Sequence, residues 1–206
     1  VVTDDRTVYR VRAKQFVLAC GGMDNIRHLL IAAQNGSPSL NSNGLVGVGF
    51  AEHPHFPVGL VWVDANDWED GGRLEAAKNV PTDSTGTRFR VGLGLSDEVL
   101  DERRLANVSF TMVEWEPGRR RPKFTDAVNT LWGAAGKNDM TPVKLFTRSE
   151  QRVNPESRVS LIAAKDDLGM PRVRWDWRVN QQDLDDVYTG ARLVAAELAK
   201  QGMGPY

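Results

Sequence analysis

The apolar run Phe16-Val17-Leu18-Ala19 passes through Cys20 into Gly21-Gly22, and a helical repeat begins directly afterwards. A continuous apolar run suits a strand covered on both faces. The paired glycines break it, and Asp24 or Asn25 stands where a helix cap is needed. Ile26, Leu29, Leu30 and Ala33 then share one helical face, and Asn35-Gly36 with Pro38 ends it. Upstream, Val8-Tyr9-Arg10-Val11-Arg12 alternates apolar and charged side chains, so residues 7–19 are expected to be extended. A strand, a glycine turn and a helix in succession call for an α/β layer at this end of the chain.

The remainder reads differently. Residues 36–57 are rich in Gly, Ser, Asn and Pro and read as a long loop or domain crossing. Pro57 to Val63 looks like a strand leading into an acidic loop from Asp64 to Gly72, with further strands at Thr87–Leu95 and Ala106–Trp115. A short helix is expected from about Asp126 to Ala135, broken by Gly133 and Gly136. Arg158 to Ile162 is a short strand, and Asp166 to Pro171 a turn. Val173, Trp175, Trp177 and Val179 then alternate with Arg172, Arg174, Asp176 and Arg178, the period of a strand with one buried and one wet face. Asp183 is placed to cap a last helix striped by Leu184, Val187, Tyr188, Ala191, Ala195 and Leu198. An antiparallel sheet backed by this last helix is the expected assembly.

Chemistry is sparse. Glycine turns at helix N-termini bind nucleotides because backbone without a side chain can approach phosphate or ribose, but Ala19-Cys20-Gly21-Gly22 lacks the full dinucleotide fingerprint. Gly47-Val48-Gly49 and Gly92-Leu93-Gly94 lack it too. Cys20, the single cysteine, excludes a disulfide framework, and its place after an apolar run fits a small buried hydrophobe better than a nucleophile. His53 and His55 in Glu52-His53-Pro54-His55 resemble a metal fragment, yet His28, the remaining histidine, lies on a separate helix. A hydrogen-bonded structural role suits them better, with acid/base work open in principle. Trp175 and Trp177 have the rings to stack on a sugar, but between valines at alternating positions they read as core.

A formal net charge of −1 gives no call for a nucleic-acid or membrane-surface partner. The basic cluster Arg119-Arg120-Arg121 with Lys123 reads as a solvated loop. No apolar stretch is long enough to cross a bilayer.

The order of three motifs carries a resemblance. Phe16 to Leu30 resembles the late flavin-domain segment of the glucose–methanol–choline oxidoreductases, where an apolar strand runs into Ala-Ala/Cys-Gly-Gly/Ala and a helix with Asn, Arg and Leu-Leu. Leu45 to Pro54 is similar to the Val-Gly-x-x-(Phe/Leu)-x-(Asp/Glu)-His-Pro stretch that follows in that family. Gln151 to Val159, continued by Asp167 to Trp177, resembles a third stretch near the end of the substrate domain. Residues from about 65 to 145 match only loosely.

The resemblance implies a fold of the α+β or α/β class. Residues 1–50 would end a Rossmann-like FAD domain, and 51–206 would form most of an antiparallel β-sheet substrate domain flanked by helices. It implies FAD as cofactor and oxidation of a small alcohol or sugar by hydride transfer to flavin. Ala19, Cys20 and Gly21 fall where the family's backbone passes the adenosine end of the flavin, and this cofactor-binding role is carried over. No catalytic residue is: neither the family's N-terminal pyrophosphate fingerprint nor its catalytic-histidine segment has a counterpart here. His53 and His55 match the domain crossing. The sequence is therefore expected to be an internal part of a longer flavoenzyme, inactive alone. The alternatives are a stand-alone carbohydrate-binding module and, less favoured for want of a phosphate fingerprint, a nicotinamide-dependent enzyme.

Overall fold

The computed structural model describes residues 7, 9–69, 74, 83–88, 91–115, 125–134 and 139–204. In chain order its elements are α1 (Gly22–Gln34), a 3-10 turn (Pro38–Asn41), β1 (Pro57–Asp64), α2 (Ala65–Trp68), β2 (Leu93–Gly94) and α3 (Asp97–Arg103). Then follow β3 (Val108–Glu114), α4 (Thr125–Ala134), β4 (Met140–Ser149), β5 (Arg158–Lys165), β6 (Pro171–Asp176) and α5 (Gln181–Lys200). The class is mixed α+β with an antiparallel sheet and helices. The chain divides into two compact units, Val1–Ala51 with Val153–Arg178 and Glu52–Arg152 with Val179–Tyr206.

The second unit is built on an antiparallel sheet of order β1-β4-β3-β2. Val108, Phe110 and Met112 alternate to one face of β3 and lie opposite Ser149, Thr147 and Leu145 of β4. The long helix α5 covers this face with Val187, Gly190, Val194 and Leu198. Gly190 sets the distance: a Cβ there would stand 2.7 Å from Val108 Cγ1 and 3.3 Å from Phe110 Cζ. Val63, Trp68, Val143 and Leu145 complete the core. Each such side chain contributes about 1.5–3 kcal/mol when fully buried.

Local chemistry fixes both ends of α5. Asn180 is the N-cap, and Asp183 reaches back to accept from the Asn180 backbone N–H (2.8 Å), a reciprocal capping box. The expectation that Asp183 itself caps is corrected by three residues. At the far end Gly202 (φ 67°) lets its own N–H donate to the Ala199 carbonyl and the Met203 N–H to the Leu198 carbonyl, both at 2.9 Å. The Met203 carbonyl then accepts from the Asp64 N–H (2.8 Å), which ties the helix exit to the end of β1.

Several expectations fail in this unit for physical reasons. The central strand β4 is absent from the sequence expectations, and it contains Pro142, a residue that argues against an interior strand. Its position explains the tolerance: β3 pairs β4 only from Val143 onward, so Pro142 lies past the end of that ladder. The strand expected at Thr87–Leu95 is reduced to Leu93–Gly94, with 89–90 outside the described residues. The start of the acidic loop is the short helix α2, capped by Asp64, whose carboxylate accepts from the Asn66 N–H (2.9 Å). Helix α4 passes through Gly133; Gly136, like the Arg119–Lys123 cluster, lies outside the described residues.

The first unit packs α1 against the β5–β6 hairpin. The expected antiparallel sheet backed by the last helix is found in the second unit, where α5 packs on β1, β3 and β4, but β5 and β6 are not among its strands. A further correction concerns residues 9–20, which form no strand: Phe16 is 74% and Val17 85% exposed. An apolar strand is held by ladder bonds to neighbours, and this run has no ladder partner among the described residues. Cys20 is correspondingly exposed instead of buried. No helix among the described residues is long and apolar enough to cross a membrane.

Candidate functional site

The glycine turn and the two segments that pack near α1 form the first unit's most specific geometry. Gly21 is the N-cap of α1, with φ 84° and ψ 166°, a conformation that glycine adopts without strain. Neither Asp24 nor Asn25 is the cap residue, contrary to expectation. Asn25 instead turns its Oδ1 back to accept from the Cys20 N–H (2.8 Å), which pins the turn from inside the helix. Ala19, Cys20 and Gly21 are all exposed, and a Cβ on Gly21 or Gly22 would meet nothing within 4 Å. The turn is thus an open wall of backbone that a flat ligand edge can reach. Among the described residues a cavity of about 270 Å³ does exist in this unit, but it lies along Leu30, Gln34, Val46, Gly47, Val48 and Val159 and not at the turn.

Arg27 locks α1 to the hairpin. Its Nε donates to the Pro171 carbonyl (2.7 Å), and its Nη2 donates to Asp166 Oδ2 and to the Met170 carbonyl (3.3 Å). Asp166 Oδ1 meanwhile accepts from the Leu168 and Met170 N–H groups at 3.0 and 2.9 Å, closing the Asp166–Pro171 turn. The hydrogen bond from Arg27, followed by that from the Met170 backbone, holds the Asp166 carboxyl below its usual range. Asp166 in turn pushes the Arg27 guanidinium up. A depressed carboxyl stabilises the fold above its unfolded pKa, and that contribution disappears as pH falls through the folded value. Within this pair only Asp166 titrates on the acid side, and the guanidinium's share is lost with it when Asp166 is protonated. Asp166→Asn is expected to flatten the decline of melting temperature between about pH 5 and pH 2, while lowering stability at neutral pH. Parallel acid limbs in the two proteins would contradict this assignment.

Residues 46–50 run beside β5. The Val159 N–H donates to the Gly47 carbonyl (2.8 Å), the Gly49 and Phe50 N–H groups donate to the Ser157 carbonyl (2.9 and 3.3 Å), and Val48 bridges Arg158. The contact is close enough that a Cβ on Gly47 (φ +84°) would lie 2.2 Å from the Val159 carbonyl oxygen. These glycines serve backbone approach within the protein, which is why they lack a phosphate fingerprint.

Trp175 corrects another expectation. It is 49% exposed, not core. Its ring stacks on Trp177 (centroids 5.8 Å apart, planes at 16°) and meets the Phe50 edge at 5.6 Å. Alternation placed both indoles on one face correctly, but α1 covers that hairpin mainly along β5, so a face read as buried stays half open.

In the second unit His53 and His55 are exposed, and His55 sits edge-on to Phe146 at 5.6 Å. No group of three His, Cys, Asp or Glu side chains among the described residues is arranged to hold a metal ion. Sequence reasoning gave Asp183 only as a cap and missed the buried carboxylate of Asp186 on α5. Asp186, 1% exposed, accepts from Arg152 Nε and Nη2 (3.0 and 2.8 Å), from the Ala106 N–H (3.1 Å) and from Gln182 Nε2 (2.8 Å). Asp183 Oδ1 accepts from the Arg152 N–H (2.9 Å). The sequence held no distinctive signal for this cluster, since Arg152 has Glu150 and Glu156 close by in the chain.

No protein-family model matches the chain, and no curated protein matches it.

Proposed function

We propose that this chain is part of an FAD-dependent oxidoreductase of the glucose–methanol–choline type, acting on the CH–OH group of an alcohol or sugar. In this reading residues 1–50 end a Rossmann-like FAD domain and 51–206 supply most of a substrate domain. One observation carries it: the segments that bear the resemblance meet one another. Arg27 of the first bonds the Asp166–Pro171 turn of the last, and Gly47 and Gly49 of the second pair with Ser157 and Val159 of the third. Motifs more than a hundred residues apart thus have a physical reason to occur together. The exposed Phe16–Ala19 run supports the same reading, since an uncovered apolar run suits burial against a further part of a larger protein.

When bound, FAD supplies the hydride acceptor for oxidation of the substrate carbon. The residues here would hold and orient. Ala19, Cys20 and Gly21 offer an unobstructed backbone wall for the adenosine end, and Asn25 fixes the shape of that wall. Arg27 holds the helix behind it against the hairpin. The hydroxyl proton is assigned to no residue of this chain.

The chain alone is expected to purify without stoichiometric FAD and to show no alcohol- or sugar-dependent reduction of a dye acceptor. One open wall gives too little contact to retain a dinucleotide. A flavin absorbance of one equivalent per chain would overturn the division of roles proposed here.

The half-open Trp175–Trp177 stack favours a second reading, a carbohydrate-binding module, because stacked indoles offer an apolar face to a pyranose ring. That reading calls for saturable quenching or enhancement of tryptophan fluorescence by a saccharide with the chain alone. The flavoenzyme reading calls for none.

A further inference from the structure

We propose that the second unit carries a ligand site, separate from the glycine turn, for an uncharged aliphatic amphiphile such as a medium- or long-chain alcohol. As the described residues outline it, a cavity of about 680 Å³ opens between β2, α3 and the C-terminal half of α5. That volume is in the range of small-molecule sites, roughly 300–1,000 Å³.

The lining selects the ligand's body. Leu93, Leu95, Val99, Leu193, Val194 and Met203 are aliphatic or thioether side chains, and no aromatic ring lines the cavity among the described residues. A sugar or nucleotide would find neither a stacking partner nor a set of convergent donors there, whereas an alkyl chain is bound by area alone. Val194 belongs to the core of the unit, and Leu93, Leu95 and Met203 pack against it, so the cavity floor is the rigid part of the fold.

The rim selects the head group. Its charged residues are Glu102, Arg103, Glu197 and Lys200, two of each sign. Glu197 is engaged by Lys200 Nζ (3.3 Å) and Gln201 Nε2 (2.8 Å), and Glu102 lies 3.9 Å from Arg103. The Glu197, Leu198 and Ala199 carbonyls near the end of α5 are also occupied, by the N–H groups of Gln201, Met203 and Gly202. A charged head would therefore have to displace an existing partner, while a hydroxyl can share one.

The test uses the whole chain and the neutral fluorophore N-phenyl-1-naphthylamine. The expected result is saturable fluorescence enhancement at one site per chain, reversed by 1-decanol at lower concentration than by decanoate or decylamine. Val99→Trp and Ala196→Trp each place bulk in the cavity, and both are expected to reduce probe binding at least tenfold while circular dichroism shows a folded protein. Absence of saturable binding would overturn the proposal, as would binding that both folded variants retain, or displacement in which decanoate or decylamine equals decanol. None of these results bears on the flavoenzyme reading, whose carrying contacts, from Arg27, Gly47 and Gly49, lie in the first unit.

Discussion

Gly47→Ala is expected to lower stability by about 2–6 kcal/mol, enough to unfold the first unit in a chain of ordinary stability. Two costs add. The residue sits at φ +84°, where an L side chain is strained by about 1–3 kcal/mol. Its Cβ would also lie 2.2 Å from the Val159 carbonyl oxygen and 3.3 Å from Ile26 Cγ2, so the 46–50 segment must leave β5 or push it aside. Val159 would lose the Gly47 carbonyl to which its N–H donates. Gly59→Ala is the matched control: a Cβ there meets nothing within 4 Å, and φ is not positive, so the change is expected to stay within about 1 kcal/mol. Urea denaturation followed by tryptophan emission, to which Trp175 and Trp177 of the first unit and Trp62 and Trp68 of the second, which holds Gly59, contribute, measures both. Equal midpoints for the two variants would mean that residues 46–50 do not lie against β5.

Asp186→Ala is the second large effect, an expected loss of about 3 kcal/mol in the second unit. The carboxylate is buried and accepts four hydrogen bonds, from Arg152 twice, from the Ala106 backbone and from Gln182. Arg152 is 42% exposed on its side chain, so water can take over part of its solvation. The larger share of the loss comes from the Ala106 N–H and from freeing α5 from the loop before β3. Asp186→Asn keeps one acceptor oxygen and is expected to fall between wild type and alanine. Chemical denaturation of the three proteins orders them, and an alanine variant as stable as wild type would remove the clamp from the account.

What the sequence revealed depended on whether local chemistry or tertiary context decided the outcome. Helix α1 was legible because Ile26, Leu29 and Leu30 keep a helical spacing and Asn35-Gly36 stops it. Hairpin β5–β6 was legible because Asp166 and Gly169 make its turn and residues 172–178 alternate without a break. The expected helix capping was displaced by three or four residues, since Asn25 and Asp183 bond backward to the turn before the helix instead of beginning it. Strand β4 was not anticipated, and it holds Pro142, whose tolerance depends on where a neighbouring strand happens to stop. Burial was the weakest inference. Phe16, Val17 and Trp175 are apolar in a pattern that says core, but pattern fixes which side chains share a face and not what covers it. For the candidate site, the turn at Ala19–Gly21 and the glycines at 47 and 49 were visible as motifs. Their actual service, an open wall in one case and close backbone approach in the other, became visible only through Asn25, Ser157 and Val159.

The central claim is that this chain belongs to a flavoenzyme whose remaining parts bind the pyrophosphate and carry the proton-accepting histidine. Sequencing the DNA on both sides of this reading frame and translating it tests that claim most directly. The account predicts a strand–Gly-x-Gly-x-x-Gly–helix unit upstream and a histidine-bearing segment downstream, both in frame. In-frame start and stop codons at Val1 and Tyr206 would contradict it and leave the exposed Trp175–Trp177 stack as the feature to pursue.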